Sequence, residues 1–533
     1  MKQLSGIDAS FIHLERDKNK FQVGTLLFYD ASTAKNSFVR FKDILNTFDS
    51  RIDKNSLLRK KLQMVPLSLD HPYWVKDPDF DIEDHVRHVA LPKPGDWRQL
   101  CILVARLHDR PLDFARPLWE AYVIEGLDNV EGIPQGGFAI YFKLHHASID
   151  GVGGNDLVTA IHDLVPFPRK SGNARQALSE RIETKTESPG NVKMLARAYV
   201  NFLRQPGRVF DLAQTIGPAW SRLRKAKREK LFAPLGPSEH TRFNGHISGH
   251  MVLDAAIFDF AELREIKNAV EGITVNDVML AIVSGAMQNY LSAKNETPVK
   301  DISAGVPINI RPFIEGAKET DSSNLVSVCK VSLKNTIKDP MDRLKAIHES
   351  AVASKAYTHA MGAKTMLEVS RVMPALLTSL AARALPALMT GGVPAVNLVV
   401  TNVPGSQVPL YMGGARLAGM CNIGILIEGM GLFHAVSSYC GTATVSFQAC
   451  RKIMPDPEFY KECIVDSFNE LKNAARASSK KRKPVAKAAP NAPRRAADKS
   501  AARASSKKTK PVAKASLRRR QNQKIVFAAS RTG

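Results

Sequence analysis

The chain contains the stretch Tyr141-Phe-Lys-Leu-His-His-Ala-Ser-Ile-Asp-Gly151, in which an apolar run ends at two adjacent histidines. The run predicts a buried strand that ends at these histidines. Adjacent strand residues point to opposite faces, so we expect His145 and His146 to have different surroundings and different roles. A histidine that faces a cleft is a candidate general base at neutral pH. Gly151 and the two glycines soon after it predict a tight turn before a helix from Val152 to about Leu164.

The pattern His-His-x-x-x-Asp-Gly resembles the signature of the CoA-dependent acyltransferase superfamily, which includes chloramphenicol acetyltransferase and the condensation domains of peptide synthetases. Four further segments resemble motifs of the bacterial wax ester synthase/diacylglycerol acyltransferase family. They are Leu4–Glu15, Pro111–Glu120, Thr274–Leu280, and Asn397–Gly405 with Ser437–Gly441. The five segments stand in the family's order and span residues 1 to about 470. Together they identify the chain by resemblance as a member of this family.

The mixed elements predict an α/β (α+β) fold of two lobes with an interdomain cleft, and the resemblance implies that the lobes are chloramphenicol-acetyltransferase-like. A chain of 533 residues is too long for one ordinary core, and both halves mix strands with helices. We place the N-terminal lobe at 1–185, a linker with crossover helices at 186–243, and the C-terminal lobe at 244–472. Strands are predicted at 21–29, 119–124, 137–142, 303–308, 324–333, 396–402 and 442–450, and helices at 38–49, 97–109, 258–270, 275–293, 339–356 and 362–388.

The C-terminal segment, residues 473–533, is expected to be a disordered tail rich in lysine, arginine and alanine. From Leu471 onward the chain has 20 of its 75 basic residues and only one of its 51 acidic residues. Residues 475–488 recur as 502–515 with a single difference. Such a segment has too few apolar residues to offset chain entropy. It could bind nucleic acid non-specifically, contact an anionic membrane or lipid droplets, or simply be solvated.

The six cysteines are scattered without a Cys-x-x-Cys pair, which is typical of a reducing compartment. The N-terminus lacks the apolar core of a secretory signal. The apolar window Val372–Leu388 is too short for a membrane span and is interrupted by two prolines and an arginine. We therefore expect a cytoplasmic protein that could also be peripheral at the inner membrane or the lipid-droplet surface.

The resemblance implies that His146 is the proton acceptor and that His145 has a supporting role. In this scheme His146 deprotonates an acceptor hydroxyl, which attacks the thioester carbonyl of a fatty acyl-CoA without an acyl-enzyme. The acceptor is diacylglycerol, a long-chain alcohol, or both, so the products are triacylglycerol or wax esters. No cofactor is expected beyond acyl-CoA as co-substrate.

Asp150 has two interpretations. It could orient His146, as in a catalytic triad. The resemblance instead implies a structural aspartate that pairs with an arginine and holds the loop containing Gly151, and we favour this role, with Arg311 as a guess for the partner.

The segment around Asn276 also has two interpretations. Asn276 and Asp277 begin a strongly helical segment, with Thr274 as a possible cap. Helix capping alone would explain these residue types. The resemblance makes Asn276 a candidate for positioning the transition state or donating to the oxyanion.

Three other hypotheses compete with this one. His145 and Asp150 also fit the His-x4-Asp motif of glycerol-phosphate acyltransferases, but those enzymes have it at a helix start and usually have membrane spans. A metal site is disfavoured because side chains on opposite strand faces cannot converge on one ion. The third is a non-catalytic scaffold that binds lipid surfaces or the nucleoid through the tail, and the intact histidine motif argues against it.

Overall fold

The computed structural model describes residues 2–16, 18–148, 158–167, 190–203, 238–309, 326–361 and 394–481. All of them belong to one compact unit, Met1–Arg482. The predicted helix at 362–388 and most of the predicted linker lie outside the described residues. Of the predicted disordered tail, 473–533, residues 473–481 instead form the end of a helix, and the rest lies outside the described residues.

The first half of the chain supplies five of the described helices and seven of the described strands. The helices are α1 (Gly6–Leu14), α2 (Phe41–Arg51), α3 (Ile82–His85), α4 (Trp97–Asp109) and α5 (Asn191–Leu203). The strands are β1 (Lys2–Gln3), β2 (Gln22–Asp30), β3 (Lys60–Gln63), β4 (Tyr73–Lys76), β5 (Val86–Ala90), β6 (Trp119–Glu125) and β7 (Phe138–His145).

The second half supplies the remaining described helices and strands. The helices are α6 (Phe260–Asn268), α7 (Val275–Ala293), α8 (Pro340–Met361) and α9 (Pro457–Lys481). The strands are β8 (Met251–Asp259), β9 (Ser303–Asn309), β10 (Val326–Ser332), β11 (Leu398–Pro404), β12 (Tyr411–Met412), β13 (Ala415–Ile423), β14 (Leu432–Tyr439) and β15 (Thr442–Cys450).

Two six-stranded sheets form the framework. The first has the order β12-β13-β2-β7-β6-β5, and the second has the order β10-β9-β11-β14-β15-β8. The strands β12 and β13 come from the C-terminal half of the chain, yet β13 pairs antiparallel with β2 of the first sheet. The two halves are therefore joined by a shared sheet, and the domain limits drawn from the sequence stay a prediction.

Strand β7 lies inside the first sheet and is buried at every position. It pairs antiparallel with β2 and with β6, and the register places Gln22 opposite His145. A strand flanked on both sides and covered on both faces needs a nearly continuous apolar sequence, which β7 has up to Phe142. The histidine pair thus stands at the end of a rigid central strand.

Helices α2 and α4 cover opposite faces of the first sheet. Ile44 and Phe48 of α2 pack with Ile140 and Phe142 of β7. On the other face, α4 packs against alternate residues of the same strand, including Tyr141, and against β8 of the second sheet. Helix α4 therefore lies between the first sheet and the edge strand of the second.

The core of the second sheet is built around α7. This helix is apolar on nearly all faces, which is the pattern of a helix enclosed by its neighbours. Gly285 lets α9 approach closely, because a Cβ at this position would lie 2.2 Å from the Ser467 hydroxyl. The helices α6, α8 and α9 complete the same apolar cluster.

Candidate active site

The chain passes from β7 into a single 3-10 turn, His146–Ser148, directly after His145. The His145 amide donates to the Leu118 carbonyl at 3.0 Å, and the His146 amide donates to the Phe21 carbonyl at 2.7 Å. The residues directly before β6 and β2, the strands on both sides of β7, therefore hold the backbone of both histidines. These two hydrogen bonds fix the backbone position from which each imidazole side chain extends.

His145 is buried and its ring is held at both nitrogens. Its Nε2 lies 2.8 Å from Oε2 of Glu15, the residue directly after α1. Its Nδ1 accepts the Ala147 amide at 3.1 Å. Because an amide can only donate, Nδ1 must lack a proton and Nε2 carries it towards the Glu15 carboxylate. His145 is thus a structural link between α1 and the turn that contains His146.

The His146 ring has different surroundings from the His145 ring. It is half-buried and packs against Phe11 of α1, with 4.4 Å between the ring centroids. Burial, with the neighbouring His145 as a smaller contribution, lowers the pKa of His146 to about 4. At neutral pH the imidazole is therefore unprotonated and able to accept a proton.

The remaining residues of the motif, Asp150 and Gly151, lie outside the described residues, as does Arg311. The interpretation of Asp150 as a structural residue, and of Arg311 as its partner, therefore stays a prediction.

Asn276 and Asp277 lie in the first turn of α7, as predicted. Thr274 caps this helix: its hydroxyl accepts the Asp277 amide, and the Asp277 carboxylate accepts the Thr274 amide at 2.8 Å. Asp277 is also buried against Nδ1 of His348, at 2.9 Å. Its interactions are those of a helix start rather than of a reacting group.

Asn276 itself is half-buried, next to this well-held carboxylate. In the described part of the chain, no hydrogen bond joins Asn276 or Asp277 to either histidine of the motif. The structure therefore brings His145 and His146 together and leaves Asn276 as a separate candidate.

A groove runs between the outer face of α4 and the start of β8. Two adjoining cavities form it, which share Asp109, His250 and Met251, and the larger has a volume of about 200 Å³. One end is lined by Lys20, which precedes Phe21, the residue whose carbonyl accepts the His146 amide. The groove therefore begins beside the backbone contact that holds His146, although the imidazole is not among the described residues that line it.

Neither a metal site nor a membrane span is found in the described parts of the chain. No three His, Cys, Asp or Glu residues there are grouped so that they could hold a metal ion. None of the helices described there is both long and apolar enough to cross a bilayer.

Comparison with known families connects this geometry to an activity. Residues 4–279, just over half of the chain, match the wax ester synthase/diacylglycerol acyltransferase catalytic domain. Residues 322–472 match the C-terminal domain of the same proteins. The chain belongs to this family.

Individual relatives agree with the family match. The chain is 31% identical to the O-acyltransferase WSD of Acinetobacter baylyi, over 85% of this chain and 93% of that protein. It is 30% identical to a putative diacylglycerol O-acyltransferase of Mycobacterium tuberculosis, over 88% of this chain and 99% of that protein. The solved wax ester synthase/diacylglycerol acyltransferase of Marinobacter aquaeolei VT8 superposes with a TM-score of 0.61, covering 89% of this chain and all of the other at 23% identity.

These comparisons confirm the predicted family and the two-lobed mixed fold. The chain is an acyltransferase, so the hypothesis of a non-catalytic scaffold is not needed to explain it. The sequence analysis missed two partners of the motif, Glu15 and Phe11, although both lie in the N-terminal segment that resembles the family's opening. The available signal was a carboxylate directly after a short helix, which does not indicate a contact with a residue 130 positions along the chain.

Proposed function

We propose that this acyltransferase transfers a fatty acyl group from acyl-CoA to the hydroxyl of diacylglycerol, of a long-chain alcohol, or of both. The products would be triacylglycerol and wax esters. The family to which the chain belongs, and the printed names of its relatives, support these substrate classes. The single observation that carries the mechanism is the unprotonated, half-buried imidazole of His146 at the end of β7.

His146 is the proton acceptor in this scheme. A lipid hydroxyl is a poor nucleophile at neutral pH until a base within hydrogen-bond reach takes its proton. As the acceptor oxygen bonds to the thioester carbon, its proton passes to an imidazole nitrogen of His146. The carbon–sulfur bond then breaks, the imidazolium returns the proton to the departing thiolate, and CoA and the ester leave. The protein forms no acyl-enzyme.

The neighbouring groups have supporting parts. Glu15 and His145 hold the turn, and Phe11 packs against the His146 ring, which keeps the base oriented and partly desolvated. The amide of Asn276 is the candidate donor to the oxyanion of the tetrahedral intermediate, with Asp277 fixing the helix start beneath it. No cofactor enters the scheme, because the thioester already supplies the leaving group.

The test is esterification by the purified full chain, given palmitoyl-CoA with either hexadecanol or diacylglycerol. His146→Ala should lower kcat by about 10²–10⁴-fold, the usual contribution of a general base. His240→Ala removes an exposed histidine and serves as the matched control, with activity close to the unmodified chain. Equal product from the His146→Ala variant and the unmodified protein would refute the assignment of the base.

The absence of an acyl-enzyme has its own measurement. The protein incubated with palmitoyl-CoA and no acceptor should keep its unmodified mass. A palmitoyl adduct that disappears when hexadecanol is added would replace the direct-transfer scheme with a two-step one.

A further inference from the structure

We propose that the groove between α4 and the start of β8 binds the phosphate groups of CoA, with Arg106 and Arg451 as the main contacts. This inference rests on the proposed function, because it takes acyl-CoA as the donor. It adds the place where the nucleotide end of the donor is held and the residues that hold it.

The charge of the groove favours an anionic ligand. Five basic residues and one acidic residue line its two cavities: Lys18, Lys20, Arg98, Arg106, Arg451 and Asp109. Two of the bases are neutralised, since Lys20 pairs with Asp109 at 3.1 Å and Arg98 pairs with Glu458 at 2.7 Å.

The other three basic side chains are not neutralised by a neighbouring carboxylate among the described residues. Across the described ranges, Lys18, Arg106 and Arg451 have no ion-pair partner. Unneutralised positive charges that line one concave surface attract anions from solution. Two of the three are arginines, whose planar guanidinium matches phosphate oxygens with two parallel hydrogen bonds.

The groove runs along α4, and the position of Arg106 on this helix sets where the phosphates would lie. The residues of α4 that line it extend from Arg98 to Asp109, and a helical rise of 1.5 Å per residue makes this about 16 Å. The end near Asp109 and Lys20 lies beside the backbone that holds His146. Arg106 lies three residues before Asp109, about 4.5 Å along α4, so phosphates held at Arg106 and Arg451 would lie within one helical turn of the Lys20 end, and the pantetheine arm would extend from there towards the reacting centre.

The strands that form the second wall are well held. Asp254 of β8 is buried, accepts the Trp97 indole N–H of α4 at 2.7 Å and lies 3.5 Å from the Lys461 ammonium of α9. The Arg451 amide donates to the His250 carbonyl at 2.9 Å, which places Arg451 at the rim formed by β8 and β15. The groove is thus a preformed feature between helix and strand, and ligand binding need not order it.

The test compares two thioester donors that differ in the nucleotide end, which bears the phosphates. Palmitoyl-CoA carries the 3′-phospho-ADP group, whereas palmitoyl-pantetheine lacks it. The ratio of kcat/KM for the two donors measures what the 3′-phospho-ADP group contributes, and its change in the arginine variant measures the part that depends on the two guanidinium groups. In Arg106→Ala/Arg451→Ala this ratio should fall about tenfold, which corresponds to about 1.4 kcal/mol. The loss should appear in KM for palmitoyl-CoA.

A matched control removes two positive charges elsewhere. Arg264 of α6 and Lys355 of α8 are exposed and lie outside the groove, so Arg264→Ala/Lys355→Ala should keep the unmodified ratio. The KM for palmitoyl-CoA should also rise with salt in the unmodified protein, and rise less steeply in the groove variant.

The outcomes separate the two proposals and the possible sources of phosphate. An unchanged ratio in the groove variant, with esterification intact, would overturn the phosphate site and leave the proposed function standing. No transfer from either donor in the unmodified chain would instead refute the function. If 3′,5′-ADP fails to compete with palmitoyl-CoA while phosphatidic acid vesicles do, the groove binds a lipid phosphate, and the assignment to CoA is wrong.

Discussion

At the scale of single residues, the arrangement around the histidine pair depends on Glu15. Its carboxylate accepts from His145 Nε2 and, at 3.2 Å, from the Phe21 amide. The Phe21 carbonyl in turn accepts the His146 amide. One carboxylate therefore acts on both histidines, through a ring on one side and through the backbone on the other. Glu15 is a positioning residue that need not touch the substrate.

Replacing Glu15 should lower turnover without abolishing substrate binding. In Glu15→Ala the buried His145 N–H loses its acceptor, so we expect the turn to shift and kcat to fall about 10- to 100-fold, with a smaller change in KM. Glu15→Gln keeps an oxygen acceptor of the same size and should recover most of kcat. Steady-state kinetics of the two variants check this. A kcat in Glu15→Gln as low as in Glu15→Ala would show that the charge, rather than the hydrogen bond, is required.

At the scale of secondary structure, a buried lysine ties α4 to β7. Lys143 is fully buried, its ammonium donates to the Leu107 and Arg110 carbonyls at the end of α4, and it lies 3.1 Å from the Glu120 carboxylate of β6. Burial lowers the pKa of Lys143, and Glu120 opposes this shift. The ammonium satisfies carbonyls that the end of a helix leaves without partners.

Lys143→Met should therefore destabilise the fold by about 2–4 kcal/mol, because it leaves the Leu107 carbonyl without its donor and takes the ammonium from the mostly buried Glu120 carboxylate, which keeps only the Tyr122 hydroxyl and the more distant Arg87. Lys345→Met removes a lysine from an exposed pair with Asp342 and is the matched control, with an expected change below about 0.5 kcal/mol. Urea unfolding followed by circular dichroism gives both values. Equal midpoints for Lys143→Met and the unmodified chain would contradict a structural role for the buried pair.

The sequence predicted the elements whose signals are local. The limits of α4, α7 and β15 agree with the prediction to the residue. Helix α4 has an amphipathic repeat and a capping box at Asp96, and α7 has the Thr274 cap. Strands β8 and β13 and helix α9 were not predicted. The two glycines directly before β13 indicate a turn between strands, and this signal could have predicted β13.

Partners distant along the chain could not be predicted in the same way. Nothing in the composition of β13 shows that it joins the first sheet rather than the second, since that choice depends on packing between the halves. The histidine motif was visible because its residues are contiguous, whereas its contacts with α1 cross 130 residues. The basic residues of the groove could not be grouped from the sequence for the same reason, because Arg106 and Arg451 line one cavity only in the folded chain.

At the scale of the whole molecule, the two sheets should unfold together. Strand β13 pairs with β2, and α4 packs against β8, so disruption of one sheet exposes part of the other. Buried histidines occur in both regions: burial lowers the pKa of His108 and His434 to about 3, and of His146 and His162 to about 4. His108 lies on α4 and His434 on β14 of the second sheet.

These histidines predict how stability depends on pH. Each has a pKa near 6.5 when unfolded and about 3 to 4 when folded. Between these values the unfolded chain binds protons that the folded chain does not. The free energy of unfolding should therefore be at its full value above pH 6.5. As pH falls towards 4, it should decline by up to about 1.4 kcal/mol per pH unit for each histidine.

Urea midpoints measured between pH 7.5 and 4.5 test this, with a single transition expected at each pH. The variant His434→Gln, which removes one titrating group from the core of the second sheet, should flatten the decline by about one proton whatever its stability at pH 7. A free energy of unfolding that stays constant from pH 6.5 to 5 would mean that these imidazoles take up protons in the folded state. Two separate transitions would instead show that the shared sheet does not couple the unfolding of the two halves. The dependence of the free energy of unfolding on pH would then have to be measured for each half by itself.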